Sequence, residues 1–264
     1  MPKAQSILLT GAGSGIGRAL ALSYAAPGVR LALVDRDAGR LQETAALCET
    51  QGSAVAGAHL DVCDRDALSA WIRAVDTERP VDLAITSAGL AGARNFGRLF
   101  EDPDRARAVV ATNLIGTINT LDPLVERMSM RGRGHLAVMG SLLGLRGLPH
   151  CPAYAASKAA IHNYAEALAA ALGAHGIRVT IIAPGFVATR MSREIFSPKP
   201  LAVSEDRAVR IIRRGLDRGA RLIAFPRVLY WAIRLSHLFP SRWIDRTVGW
   251  VDVDVFESYE APSG

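Results

Sequence analysis

Tyr154 and Lys158 are the two residues of this sequence whose types and spacing best suit proton transfer. The alanine-rich run that follows them predicts a helix, and residues four positions apart on a helix lie one turn apart on the same face. A phenol has an ordinary pKa of about 10, too high for proton exchange at neutral pH, and a nearby ammonium stabilises the phenolate. We therefore expect Lys158 to lower the pKa of Tyr154 so that the phenol acts as an acid or a base near pH 7.

Two further polar residues are expected near this pair. Ser141 follows the apolar run 136–139, where the end of a predicted strand would present its hydroxyl to the same pocket. Asn113 lies within the helical pattern 104–130, and a buried asparagine in a helix is unfavourable unless its amide forms hydrogen bonds. An ordinary bond to a neighbouring turn is the alternative for Asn113.

A glycine-rich turn near the start of the chain suits a phosphate group. Residues 7–10 predict a buried strand, and Gly11, Gly15 and Gly17 precede a helical pattern that continues to residue 26. Glycines allow the backbone to approach a ligand closely, and a helix amino terminus offers unpaired N–H groups to a pyrophosphate. A glycine-rich loop alone is weak support, because ordinary tight turns have the same composition.

The second predicted strand, 30–34, ends at Asp35. A carboxylate at this strand end accepts hydrogen bonds from the hydroxyls of an adenosine ribose and repels a 2′-phosphate, which favours NAD over NADP. Arg36 favours NADP instead, because its guanidinium would reach a 2′-phosphate if the Asp35 side chain turned aside.

Together these motifs resemble those of the short-chain dehydrogenases/reductases. The match covers the Ser…Tyr-x-x-x-Lys signature at Ser141, Tyr154 and Lys158 and the Thr-Gly-x-x-x-Gly-x-Gly signature that starts at Thr10. The resemblance implies that Tyr154 exchanges the substrate proton, that Lys158 also holds the nicotinamide ribose, that Ser141 binds the substrate oxygen, and that Asn113 positions a relay water. It implies dinucleotide contacts from Thr10, Gly11, Ser14, Gly15, Ile16, Gly17, Asp35, Arg36, Asp61, Val62, Ser87, Ala88, Gly89, Asn113, Tyr154, Lys158, Pro184, Gly185, Val187 and Thr189.

Several of these positions carry specific expectations. Ser14 stands where NADP users of the family often have a basic residue, which again favours NAD. Asp61 is expected either to contact the adenine or to cap the next helix. Ser87 replaces the asparagine usual in the family's Asn-Ala-Gly, which puts the rigidity of the local sheet in doubt. The resemblance assigns the nicotinamide carboxamide to the Val187 backbone and the Thr189 hydroxyl.

The alternation of strand and helix patterns predicts an α/β fold, a doubly wound Rossmann sheet of seven parallel strands with helices on both faces. We expect residues 1–264 to form one domain, with 190–218 covering the substrate and 226–250 forming a helical extension at the carboxyl terminus. Part of the covering segment, 191–203, is expected to be mobile.

Composition limits the class of protein. The three cysteines, Cys48, Cys63 and Cys151, have no paired spacing, so we expect reduced thiols, no metal site and a cytoplasmic location. The apolar run near the amino terminus is too short for a secretory signal or a membrane span.

The net charge of +6 is concentrated near the end of the chain, where residues 207–246 contain ten arginines and two aspartates. Residues 227–239 are expected to pack on this subunit or on a partner subunit, with a peripheral membrane contact as the alternative. The family resemblance implies a homodimer or homotetramer. No nucleic-acid-binding motif accompanies the charge.

The sequence thus predicts an oxidoreductase that transfers a hydride between NAD(H) and a secondary alcohol or ketone. An apolar substrate, such as a steroid-like, terpenoid or acyl-chain alcohol, is favoured by the expected pocket residues Leu142, Leu143, Leu145, Leu148, Pro149 and Cys151. A 3-oxoacyl-type NADPH-dependent reductase remains an alternative because of the basic residues Arg146, Arg190, Arg193 and Lys199. The other alternative is a non-catalytic dinucleotide-binding module.

Overall fold

A computed structural model of the chain describes residues 4–95, 99–147, 149–193, 195–196, 199, 201–240, 242–244 and 254–255. Its main sheet has seven parallel strands, which confirms the predicted fold class. The strands are β1 (Ser6–Thr10), β2 (Arg30–Asp35), β3 (Ala54–His59), β4 (Leu83–Thr86), β6 (Gly134–Met139), β7 (Ile177–Pro184) and β9 (Leu222–Phe225), in the spatial order β3-β2-β1-β4-β6-β7-β9.

The central strands are apolar along their whole length because both of their faces are covered. In β1, Ile7 and Leu9 belong to one buried cluster, whereas Leu8 belongs to the cluster on the opposite face. Successive side chains of a strand point to opposite faces, so a strand between two helix layers needs apolar residues at every position.

Two helix layers enclose the sheet. The helices are α1 (Gly15–Tyr24), α2 (Ala38–Thr50), α3 (Arg65–Glu78), α4 (Pro103–Val110), α5 (Gly116–Arg131), α6 (Pro152–Leu172), α7 (Arg190–Arg193), α8 (Glu205–Asp217) and α9 (Arg227–Ser236). The cluster on one face contains residues of α1, α2 and α8, and the cluster on the other face contains residues of α3, α5 and α6. A π-helical turn, Ala111–Ile115, joins α4 to α5.

The strand order places the candidate catalytic and binding residues at the carboxyl ends of the central strands. β1 pairs with β2 on one side and with β4 on the other, so the direction of the connections reverses there. In doubly wound sheets the ligand crevice lies at this reversal, beyond the carboxyl ends of the strands. Thr10, Asp35, Thr86, Met139 and Pro184 are the last residues of their strands.

A small second sheet was not expected from the sequence. It has three two-residue strands, β5 (Arg94–Asn95), β8 (Ile195–Phe196) and β10 (Asp254–Val255). β10 pairs in parallel with β5 and antiparallel with β8. The chain that follows the main sheet therefore returns to the segment around residue 195.

Candidate active site

A cleft of about 490 Å³ runs across the carboxyl ends of the sheet strands. The four predicted catalytic residues and the predicted dinucleotide residues lie in its walls or directly behind them. The walls contain Gly11, Ser14, Gly15, Ile16, Gly17, Asp35, Arg36, Asp61, Val62, Ser87, Ala88, Gly89, Ser141, Tyr154, Lys158, Pro184, Gly185, Val187 and Thr189. Thr10 and Asn113 are fully buried behind that surface.

The glycine loop is packed so closely that side chains would not fit. A Cβ atom on Gly11, whose φ is +70°, would lie 2.7 Å from the backbone nitrogen of Ala88. A Cβ atom on Gly17 would overlap the carbonyl of Gly11. The loop therefore packs closely on the segment after β4 and turns directly into α1, whose amino terminus lines the cleft and suits a pyrophosphate.

The ends of β1 and β4 are tied together by Thr10. Its hydroxyl oxygen accepts a hydrogen bond of 3.3 Å from the backbone N–H of Ala88. No side-chain hydrogen bond of Ser87 is found among the described residues, so the side-chain link at the ends of these paired strands comes from Thr10.

The carboxylate of Asp35 is held in place by backbone N–H groups. One oxygen accepts from Gly13 at 2.7 Å and the other accepts from Asp37 at 2.9 Å. These two bonds oppose the rotation that would let Arg36 replace the carboxylate. Arg40, which the sequence did not single out, also lines the cleft and pairs with Asp37 at 3.2 Å.

Asp61 and Val62 form the next part of the wall. Asp61 accepts from the backbone N–H of Cys63 at 2.8 Å, whereas Asp64 caps the following helix, so the capping alternative for Asp61 is wrong. The carbonyl of Val62 accepts from the buried amide of Asn119 at 3.0 Å. Asn119 is thus a positioning residue that no sequence motif indicated.

Asn113 connects three parts of the site. Its Nδ2 donates to the Leu90 carbonyl and to the Ser157 hydroxyl, both at 3.1 Å, and its Oδ1 accepts from the Leu90 backbone at 2.7 Å. The amide therefore joins the π-helical turn, the segment after β4 and helix α6. A Cβ atom added to Gly89 would lie 3.0 Å from Asn113 Oδ1 and 3.8 Å from Lys158 Nζ. The amide of Asn113 and the amine of Lys158 therefore both lie beside this glycine.

Helix α6 carries the tyrosine and the lysine. Its first residue, Pro152, has the backbone angle that a helix start requires, and the carboxylate of Glu101 accepts from the Ala153 N–H at 2.9 Å. Burial raises the pKa of Glu101. This acidic cap fixes the start of α6 and hence the position of Tyr154 within its first turn.

Ser141, Tyr154 and Lys158 converge in the cleft wall. The Ser141 side chain is close enough to the Tyr154 phenol to act on its pKa, and its oxygen accepts from the Leu143 N–H at 3.1 Å. Lys158 Nζ lies 5.8 Å from the centre of the Tyr154 ring and donates to the Met139 carbonyl at 2.8 Å. The three side chains thus line one part of the cleft, where an alcohol would meet both the serine and the tyrosine.

The pKa of Tyr154 differs from the sequence expectation. Burial raises it to about 12, although the neighbouring Ser141 side chain acts in the opposite direction. Burial also lowers the pKa of Lys158 to about 8. Desolvation is the largest cause of both shifts, because the charged forms of the phenol and of the amine both lose solvent in the same wall. In the chain alone, therefore, the phenol keeps its proton at neutral pH.

His162 is a site residue that sequence reasoning missed. Its Nε2 accepts a hydrogen bond of 3.3 Å from the backbone N–H of Ser141, and it is buried. A Cβ atom on Gly140 would overlap its ring, so the glycine leaves room for the imidazole. Burial and the neighbouring Lys158 lower its pKa to about 4. The sequence contains a pattern that indicates His162: positions 154, 158 and 162 lie on one face of a helix, so His162 follows Tyr154 and Lys158 on that face.

The cleft wall near Ser141 is apolar. Leu142, Leu143 and Cys151 contribute to it as expected, whereas Leu145 lies in a separate cavity of about 280 Å³ with Tyr230 and Arg234. Pro149 is not among the wall residues, and Leu148 lies outside the described residues. The remaining apolar wall comes from Phe186, Met191 and Leu229, of which Leu229 belongs to α9 and was not predicted.

The segment that follows β7 closes the other side of the cleft. The N–H of Gly185 donates to the Phe225 carbonyl at 2.7 Å, and the N–H of Thr189 donates to the Val187 carbonyl at the same distance. The Thr189 hydroxyl accepts from the Ser192 N–H at 3.3 Å. Of the expected covering segment, residues 194, 197–198 and 200 lie outside the described residues.

Comparisons with known proteins agree with this geometry. A family model described as short chain dehydrogenase matches residues 5–200. An uncharacterised oxidoreductase of Myxococcus xanthus is 36% identical over 242 residues, which are 91% of this chain and 95% of that protein. Galactitol 2-dehydrogenase (L-tagatose-forming) of Cereibacter sphaeroides is 37% identical over 187 residues, 70% of this chain and 72% of that protein.

Solved structures of short-chain dehydrogenases have the same fold as this chain. A short chain dehydrogenase from Mycobacterium paratuberculosis bound to NAD superposes with a TM-score of 0.72 at 26% identity, covering 83% of this chain and 95% of that one. A short-chain dehydrogenase from Sphingobium yanoikuyae in complex with NADPH has a TM-score of 0.76 at 24% identity and covers 97% and 98% of the two chains. At 24% identity, the similarity to the Sphingobium yanoikuyae structure shows a shared fold only.

Proposed function

The chain belongs to the short-chain dehydrogenase family of oxidoreductases acting on alcohol and ketone groups, and we propose that it transfers a hydride between NAD and an apolar secondary alcohol or its ketone. One observation carries the proposal: Ser141, Tyr154 and Lys158 share a wall of the cleft that the glycine loop opens onto. A buried phenol that shares this wall with a serine and a lysine would have no use in a module that only binds a dinucleotide.

The residues present fit a nicotinamide dinucleotide. The space above Gly11 and Gly17 and the amino end of α1 suit the pyrophosphate, Asp35 suits the adenosine ribose, and Lys158 suits the nicotinamide ribose. When bound, the nicotinamide ring supplies or accepts the hydride.

The protein's own part of the reaction is proton transfer and placement. In ketone reduction Tyr154 gives its hydroxyl proton to the carbonyl oxygen, and in alcohol oxidation it takes the proton back. Ser141 hydrogen-bonds the same oxygen and fixes its distance from the phenol. The ammonium of Lys158 stabilises the phenolate that remains after ketone reduction. Asn113 holds α6 against the segment after β4, so that the tyrosine keeps its position.

NAD is favoured over NADP by the fixed carboxylate of Asp35. Its two backbone hydrogen bonds hold the negative charge at the cleft rim, where a 2′-phosphate would be repelled. Arg36 and Arg40 also line the cleft and favour the opposite choice, but Arg40 is paired with Asp37.

An apolar substrate is favoured by the wall beside Ser141. Leu142, Leu143, Phe186, Met191 and Leu229 supply most of that wall. A 3-oxoacyl-type reductase that uses NADPH is the second candidate, because Arg190 also lines the cleft and would suit an anionic carrier group.

A substrate panel tests the proposal. We expect turnover of bulky apolar secondary alcohols with NAD, little turnover of polyols, and slower reaction with NADP. Preference for a 3-oxoacyl thioester with NADPH would favour the second candidate, and binding of NAD without turnover of any compound would favour the non-catalytic module. A cytoplasmic location and a homodimer or homotetramer stay predictions, to be checked by cell fractionation and light scattering.

A further inference from the structure

Helix α9 carries large apolar side chains on its outer side as well as on its inner side. At 100° per residue, Leu229, Ile233 and Ser236 lie on the inner side, which packs against β9 and the turn Leu142–Gly144. Val228, Trp231 and Leu235 lie on the outer side, with exposed fractions of 73%, 52% and 53%. Surface helices normally bury their apolar face, so the outer side of α9 indicates a contact with another body.

The apolar surface continues past the end of α9. Leu238, Phe239 and Trp243 are exposed by more than half. We call the whole set the α9 face: Val228, Trp231, Leu235, Leu238, Phe239 and Trp243. Single exposed apolar residues are ordinary, but six large ones within sixteen positions are not.

The α9 face is bordered by positive charge. Arg227 and Arg234 lie along one edge of the outer side of the helix, and both are exposed. Residues 218–244 contain five arginines, at positions 218, 221, 227, 234 and 242, and no aspartate or glutamate. The α9 face therefore combines aromatic and aliphatic side chains with two flanking arginines, within a stretch of sequence that has no acidic residue.

We propose that the α9 face docks on the surface of an anionic lipid bilayer. Tryptophan and phenylalanine beside arginine suit the boundary between headgroups and acyl chains, and each basic residue near an anionic surface adds attraction. A second copy of this chain fits less well, because a twofold contact through this face would bring Arg227 and Arg234 of the two copies close together.

The contact is peripheral and does not span the bilayer. α9 has ten residues, about half the length that a membrane crossing needs. Among the described residues, one helical stretch, Pro103–Arg131, is long and apolar enough to cross, but half of its most apolar window is buried in the fold. That stretch carries Asn113 and belongs to the protein core.

The docked helix is also part of the cleft. Leu229, on the inner side of α9, lines the cleft beside Phe186 and Met191. Docking would therefore place the apolar wall of the cleft next to the lipid, where an apolar alcohol concentrates. This last step rests on the proposed function, whereas lipid binding itself does not.

Co-sedimentation of the full chain with vesicles tests the proposal. We expect the protein to pellet at low salt with phosphatidylcholine vesicles that contain about one-third phosphatidylglycerol, to pellet weakly with phosphatidylcholine alone, and to be released at high salt. Docking should also shift the tryptophan emission to shorter wavelength.

Matched variants separate the charge from the apolar face. The double variant Arg227→Gln/Arg234→Gln is expected to weaken binding to anionic vesicles about 30-fold, since each basic residue contributes about fivefold. Arg133→Gln, which removes an exposed arginine at the opposite end of the sheet, should change binding far less. Trp231→Ser should weaken binding severalfold, whereas Met130→Ser, at a side chain 74% exposed elsewhere, should not.

Three results would overturn the proposal. The first is a native protein that stays in the supernatant with anionic vesicles at low salt. The second is equal loss of binding in Met130→Ser and Trp231→Ser. A native dimer that Trp231→Ser converts to a monomer, with no pelleting, would assign the α9 face to a second copy of the chain and so contradict lipid docking. All variants replace exposed side chains, and their thermal unfolding should match that of the native protein.

Discussion

His162 accepts a hydrogen bond from the backbone N–H of Ser141 through Nε2, at 3.3 Å. The two residues come from different elements, α6 and the end of β6, and the bond fixes the backbone beneath the serine hydroxyl. Because Nε2 accepts, the neutral ring carries its proton on Nδ1. His162 therefore acts through Ser141 and is a positioning residue of the proposed reaction.

Removal of this acceptor should slow catalysis without loss of cofactor binding. In His162→Leu the Ser141 N–H loses its partner, a penalty of about 1 to 3 kcal/mol for a buried donor. We expect kcat/KM to fall about tenfold or more, mainly through kcat, while the Kd for NADH changes little. His162→Gln supplies a carbonyl acceptor and should recover most of the rate. Equal losses in both variants, or an unchanged kcat in His162→Leu, would contradict the positioning role.

Burial of His135 should make the fold sensitive to acid. Its Nε2 lies 2.8 Å from the Thr180 hydroxyl, which itself donates to the Ala220 carbonyl, so the histidine is the donor. Burial and Arg178 lower its pKa to about 4, whereas an unfolded histidine has a pKa of about 6.5. The unfolded chain therefore binds more protons between pH 6.5 and 4, and stability falls as the pH drops through that range.

The measurement compares urea unfolding at pH 7 and at about pH 4.5. We expect the native protein to lose roughly 2 to 3 kcal/mol more than His135→Gln, which keeps a donor for Thr180 but has no titrating group. The same acid loss in both proteins would show that His135 does not contribute.

The lowered pKa of Lys158 predicts the pH profile of ketone reduction. Its pKa of about 8 means that the ammonium is present below pH 8 and lost above it. We expect kcat/KM for ketone reduction to be level below pH 8 and to fall above it. In Lys158→Arg the charge persists at all working pH values, so this fall should disappear even if the rate is lower. A fall near pH 8 in both proteins would assign the ionisation to another group.

Removal of the charge on Asp35 should change the cofactor preference. Asp35→Asn keeps the size of the side chain and can still accept from the Gly13 N–H. We expect the ratio of NADP affinity to NAD affinity to rise about tenfold, because a repulsive charge near the 2′-phosphate is removed. Arg36→Ala should leave NAD binding almost unchanged. Tighter native binding of NADP than of NAD, measured by NAD(P)H fluorescence, would reverse the assignment.

The main sheet and the dinucleotide loop could be predicted because their causes are local in the sequence. β1 and β2 are apolar at successive positions since both of their faces are covered, and Gly11 and Gly17 mark backbone that has no room for a side chain. The spacing of Tyr154 and Lys158 needs only helix geometry.

Other features depend on distant parts of the chain. The two-residue strands β5, β8 and β10 are too short for any periodic signal, and their pairing joins positions far apart in sequence. Leu229 and Arg40 reach the cleft through tertiary packing. The pKa of Tyr154 was predicted in the wrong direction for the chain alone, because spacing reveals the neighbouring lysine but not the extent of desolvation.

The most direct test of the central claim is the rate of hydride transfer in Tyr154→Phe, with Tyr164→Phe as the control on the same helix. Each protein is saturated with NADH, and a single turnover of an active ketone is followed by the loss of NADH fluorescence. We predict that Tyr154→Phe binds NADH normally but reacts about 10² to 10⁴ times more slowly, the usual contribution of a positioned acid, while Tyr164→Phe reacts like the native protein. Equal rates in Tyr154→Phe and the native protein would contradict the assignment of Tyr154 as the proton donor.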